Sequence, residues 1–129
     1  MDVLDWALSL FPVLKTRMKQ KSGTLSGGEQ QMVATARALC LQPKFLLMDE
    51  PSEGLMPSMI ATIFKTIEKL KTEKVGVLLV EQKIEGTLSV SDRIVCMENG
   101  FIREESDPLA LTANPEPLAR YVGVKARVT

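Results

Sequence analysis

Apolar residues recur at spacings of three and four along the first forty positions of the chain. Val3, Leu4, Ala7, Leu8 and Phe11 have the period of one helical face, and Asp2 stands before them where an N-cap belongs. Pro12 disturbs this helix, and a basic stretch leads on to Gly23. Met32, Val33, Ala36, Leu39 and Cys40 predict a second helix that starts after Ser26, and Pro43 forbids its continuation. The pattern then changes. Phe45-Leu46-Leu47-Met48 is an unbroken apolar run followed by two acids and Pro51, which predicts a strand buried on both faces. Pro57 suits the first position of a helix whose stripe is Ile60, Ile63, Phe64, Ile67 and Leu70. Residues 75–80 predict a second buried strand, and 83–89 a short helix. Segments 93–98 and 101–104 flank Asn99-Gly100, a pair that tolerates the positive φ angles of a tight hairpin turn. Two short helical pieces follow, at 108–113 and 115–122.

Strand, helix, strand, helix and hairpin in this order read as an α/β fold. The strands at 45–48 and 77–80 are expected to be parallel neighbours, with the helix from Pro57 crossing between them. A length of 129 residues fits one domain, and no repeat, low-complexity segment or long linker interrupts it.

Composition narrows the function. Sixteen basic residues balance sixteen acidic ones, which gives no support for a nucleic-acid partner. Lys15, Arg17, Lys19 and Lys21 cluster without an intervening acid and read as a solvated helix end. The chain has no histidine, so histidine-based metal sites and His–Ser or His–Cys pairs are excluded. Cys40 and Cys96 are isolated, which fits a reduced, cytosolic compartment. No apolar run approaches the roughly 20 residues of a membrane span, and no basic segment followed by an apolar one marks a signal peptide at the start. Any work at a membrane is therefore expected to depend on a partner.

Two motifs carry chemistry. In Leu25-Ser26-Gly27-Gly28-Glu29-Gln30-Gln31, Ser26 and Glu29 have capping-box spacing. An ordinary capped helix explains those two residues by themselves. Gly27 and Gly28 add something, since each glycine costs a helix roughly 1 kcal/mol relative to alanine. Bare of side chains, the helix start would open its unpaired N–H groups and positive dipole end to an anion. The second motif is the apolar run ending in Asp49-Glu50-Pro51. In open α/β sheets ligands gather beyond the carboxyl ends of strands. There one carboxylate can serve Mg²⁺ while its neighbour, on the other side of the strand, orients or deprotonates a water. Two exposed acids capping the next helix account for the pair equally well when it is taken alone.

Taken together, the motifs resemble the signature and Walker B sequences of the ABC ATPase superfamily, in order and at the family's separation. The resemblance runs from about Val3 to Val124. It implies the fold of the C-terminal half of a P-loop NTPase domain: a helical and signature segment (1–43), a Walker B, D-loop and switch region (44–105) and a helical tail (106–129). Leu25 to Gln30 would be the signature that touches nucleotide, with Ser52, Glu53, Gly54 and Leu55 the D-loop, Asp49 the Mg²⁺-associated acid and Glu50 and Gln82 the catalytic pair. Finer matches, in Asp49-Glu50-Pro51-Ser52-Glu53-Gly54-Leu55 and Leu79-Val80-Glu81-Gln82, are similar to ATP-binding subunits of branched-chain amino acid importers. Urea and short-amide importers are the neighbouring alternative, and a non-catalytic remnant is a third reading. Chromosome-maintenance ATPases share both motifs but carry long heptad coiled coils, which this chain lacks.

The resemblance also implies ATP and Mg²⁺, a second ATPase domain in a homo- or heterodimer, permease subunits in the membrane and, indirectly, a substrate-binding protein. The location implied is the cytoplasmic face of the membrane. Two departures stand out. No Gly-Lys pair occurs, so the phosphate-gripping P-loop is absent and little ATP binding is expected from these residues alone. Met56 stands where most members place aspartate, which puts an aspartate-mediated link between two sites in doubt.

Overall fold

The helical spacing of the first forty residues becomes three helices in the computed structural model, which describes residues 2–123. Helix α1 (Val3–Leu10) leads through a fully buried Phe11 into α2 (Pro12–Arg17), so Pro12 opens a new helix as well as closing the first. Asp2 occupies the N-cap position, yet its side chain makes no capping bond; only its carbonyl is engaged, by the Trp6 N–H at 2.9 Å. A single 3₁₀ turn (Ser22–Thr24) precedes α3 (Gly27–Leu39), which buries Met32, Ala36 and Leu39 against a layer made with α1 and α2.

Strand β1 (Phe45–Asp49), helix α4 (Pro57–Thr72) and strand β2 (Gly76–Val80) complete a first compact unit that runs to Glu81. The two strands pair in parallel and in register, Leu47 with Leu78 and Asp49 with Val80, and α4, the helix that joins them, packs against β2. Ile63, Phe64, Ile67 and Leu70 of α4 are buried as their spacing required.

The expectation that both strands are buried on both faces is corrected. Leu46 and Met48 are buried, but Phe45 and Leu47 are 77% and 74% exposed, and their neighbours Leu78 and Val80 are 62% and 51% exposed. A parallel sheet is buried on both sides only where a layer covers each side. Among the described residues, one face of this sheet is covered and the other is an open apolar surface ending at Asp49.

The second unit begins at Gln82. Helix α5 (Ile84–Val90) is followed by the hairpin of β3 (Ile94–Glu98) and β4 (Phe101–Ser106), then by α6 (Pro108–Ala113) and α7 (Glu116–Val122). Asn99 and Gly100 both take positive φ, 51° and 80°, as the tight turn demands. Cys96 pairs with Glu104 and Met97 with Ile102, leaving Arg103 as the extra residue of a bulge. Cys96, Leu111 and Leu118 form this unit's core, joined by Ile84, Leu88, Ile94 and Tyr121. Burial, with Glu104 close by, pushes the Cys96 thiol up, away from reactivity. The division at Glu81 falls inside the segment 44–105 that the motifs group together.

Candidate functional site

The chain leaves β1 through a left-handed residue. Asp49 is the last position of the strand and is exposed on the open apolar face. Glu50 has φ 47°, a conformation that side-chain-bearing residues rarely adopt and that costs free energy unless neighbours enforce it. Enforcement is visible on both sides. The Glu50 N–H donates to the Val80 carbonyl at 2.8 Å, and the Glu50 carbonyl accepts the Glu53 N–H at 3.0 Å. Asp49 and Glu50 were expected to diverge by strand alternation. Glu50 in fact lies one residue beyond the strand with a left-handed backbone, so strand alternation does not set its direction.

The next turn is equally constrained. Pro51 and Ser52 are fully buried, and the Ser52 N–H donates to Glu81 Oε1 at 2.9 Å. Leu55 N–H returns to the Ser52 carbonyl at 3.3 Å, around Gly54 at φ 70°. Glu53, Gly54 and Met56 are exposed. Ser52 Oγ is buried without a hydrogen-bond partner, an arrangement uncommon enough to call for a reason.

At the start of α3 the capping box closes as its spacing required. The Glu29 N–H donates to Ser26 Oγ at 3.2 Å, and the Ser26 N–H donates to Glu29 Oε2 at 2.9 Å. Glu29 Oε1 also accepts from Arg17 Nε at 3.2 Å, so one member of the basic cluster has a structural partner. The Ser26 backbone bond, then its hydroxyl, and then Arg17 hold the Glu29 carboxyl below the usual carboxylate range, against some desolvation. Gln30 Nε2 donates to the carbonyls of Ser22 and Leu25, which ties the preceding loop to the helix.

The two glycines differ. A Cβ on Gly27 would meet nothing, so its backbone is open to solvent; one on Gly28 would lie 3.0 Å from Met59 Cγ. The expectation that both leave the helix start bare is therefore corrected: the Met59 side chain of α4 lies over Gly28. Gln82 is exposed and opens the second unit.

The first unit thus holds the capped helix, the Asp49–Glu50 turn and the loop at Ser52–Leu55, while Gln82 follows by one bond from Glu81. Sequence reasoning missed Met59 and Glu81. The available signal for Glu81 was an acid placed directly after an apolar strand. Among the described residues, no three His, Cys, Asp or Glu side chains gather as a metal cage. An exposed single carboxylate such as Asp49 fits a different arrangement, in which Mg²⁺ is held mainly by phosphate oxygens and water.

The family model for ABC transporters matches residues 2–53. The high-affinity branched-chain amino acid transport ATP-binding protein BraG of Pseudomonas aeruginosa is 49% identical over 120 residues, covering 93% of this chain and 52% of that protein. The ADP conformation of MJ1267, an ATP-binding cassette of an ABC transporter, superposes with a TM-score of 0.73 at 30% identity, over 92% of this chain and 49% of the other. A dimeric post-hydrolysis state of the ATP-binding cassette MJ0796, bound to ADP and Pi, matches at a TM-score of 0.63 and 31% identity, over 68% of this chain and 38% of the other. The chain spans about half the length of the curated relatives it matches.

Proposed function

Because this chain belongs to the ABC transporter family of ATP-binding proteins, we propose that it forms part of the ATP-hydrolysing subunit of an importer for branched-chain amino acids. The substrate class rests on the likeness to BraG. The support in the fold is the Asp49–Glu50 turn, where a strained backbone is held by bonds to Val80 and Glu53. Strain of this kind persists only where the surrounding structure over-determines it, and it clusters at active sites.

In this reading Leu25, Ser26, Gly27, Gly28, Glu29 and Gln30 present the N-terminus of α3 to the γ-phosphate of an ATP held by a partner cassette. Backbone N–H groups and the helix dipole supply the attraction. Of the two glycines, Gly27 has the open backbone that close approach needs. Asp49 would hold Mg²⁺, directly or through water, and the bound ion would supply positive charge against the charge that develops on the phosphates. Glu50 accepts the proton of the attacking water. Gln82 positions that water by hydrogen bonds alone, since an amide has no useful basicity near neutral pH. Ser52, Glu53, Gly54 and Leu55 form the loop that meets the partner cassette. The phosphate-gripping Gly-Lys sequence is not among these 129 residues, and no residue here is assigned that contact.

The dimeric MJ0796 cassette supports a second ATPase domain as partner, and permease subunits and a substrate-binding protein complete the proposed importer. No helix among the described residues is long and apolar enough to cross a membrane. The location we propose, on the likeness to BraG, is peripheral, on the cytoplasmic face, through the permease.

Glu50→Gln in a complete cassette carrying these residues tests the assignment. It keeps shape and removes the charge. ATP binding and cassette pairing should survive, and single-turnover hydrolysis should slow by about 10² to 10⁴, the scale for a lost general base. Asp49→Asn should weaken Mg²⁺-dependent nucleotide binding as well. Near-native turnover in Glu50→Gln would remove Glu50 from the chemistry.

A further inference from the structure

We infer that Glu81 is a positioning residue for Glu50, clamping the turn after β1 by accepting the Ser52 N–H; this rests on the reading of Glu50 given above. The pairing of β1 with β2 ends at Asp49 and Val80. Two bonds extend it beyond the sheet. The first is between backbones, Glu50 N–H to the Val80 carbonyl at 2.8 Å; the second uses a side chain, Ser52 N–H to Glu81 Oε1 at 2.9 Å. The Glu81 carboxylate thus stands in for the carbonyl that a longer strand would have offered.

The position of this bond matters. Glu50 holds an unfavourable left-handed φ, and Pro51 and Ser52 behind it are fully buried. Relaxation of that backbone would move Glu50 first. With both residues buried, water has no ready access to the Ser52 N–H, so loss of the carboxylate leaves that donor unpaired. Glu81 touches neither substrate nor reacting atoms in this account. It acts through the turn.

The test has two parts. In this chain, hydrogen exchange at the Ser52 amide should quicken by about tenfold or more in Glu81→Ala, as expected when one buried bond is lost. It should stay close to native in Glu81→Gln, whose amide oxygen still accepts. In a complete cassette carrying these residues, Glu81→Ala should lower kcat by about 10- to 100-fold, the scale of a misplaced reacting group, with KM for ATP little changed. Glu81→Gln should restore most of that loss. Combined with Glu50→Gln, Glu81→Ala should add nothing further to the slowing, because residues acting as a unit are not additive. If Glu81→Ala does not fold, Glu81→Asp carries the same test, its carboxylate being one methylene short of the amide.

Unchanged Ser52 exchange, an effect on KM alone, an equal loss in Glu81→Gln, or additive slowing in the double variant would each overturn the proposal. Fast hydrolysis by Glu50→Gln would instead overturn the underlying reading, which keeps the two failures distinct.

Discussion

At the scale of single residues, the start of α3 shows how much a local rule can settle. Ser26 and Glu29 satisfy each other's backbone, and nothing about the rest of the fold is needed for that exchange. Ser26→Ala should therefore destabilise the chain by about 1 kcal/mol, as loss of an N-cap does, measured as a shift of the urea midpoint. Glu29 adds a pH dependence whose sign follows from its lowered pKa. Its stabilising contribution is present above the ordinary carboxylate value of about 4.3, and is lost as pH falls below that through the depressed folded value. Urea midpoints at neutral and acid pH should show a larger acid loss for the native chain than for Glu29→Gln; equal losses would contradict the assignment. Glu50 is the counter-example. Its residue type announced chemistry, but its left-handed backbone depends on Val80, thirty positions away.

At the scale of elements, helices were legible and strand environments were not. The stripe from Ile60 to Leu70 and the stop signal at Pro43 are local matters of period and sterics. Burial of a strand face is decided by whichever layer lies on it. The apolar run at 45–48 predicted cover on both sides, and Phe45 and Leu47 have none among the described residues. An exposed apolar sheet face is an association hazard. Leu47→Lys should leave the stability of this chain within about 0.5 kcal/mol, the range for exposed positions, while reducing self-association in light scattering and the binding of an apolar-surface dye. A cooperative loss of folding in Leu47→Lys would show that this face is covered in solution.

At the scale of the whole molecule, the chain carries acid, turn and signature elements without the Gly-Lys loop that grips phosphates in P-loop proteins. Isothermal titration of the 129-residue chain with Mg-ATP is expected to show no micromolar binding. Such binding, if found, would mean that α3 and the Asp49–Glu50 turn hold nucleotide unaided. The same absence places the test of Glu50 in a complete cassette, which supplies a phosphate-gripping loop beside the residues proposed here to act on ATP.

By itself the amino-acid sequence determined the order of elements, the capping box, the Asn99-Gly100 turn and the pair of motifs that place the chain in its family. Each of these depends on residues within a few positions of one another, where hydrogen bonds and steric limits act locally. Tertiary structure alone decided four things: the register of β1 on β2, the side chain of Met59 over Gly28, the left-handed turn at Glu50, and the bond from Ser52 to Glu81. All four join positions distant in the chain, and no local rule ranks one such pairing above another until packing has brought the partners together.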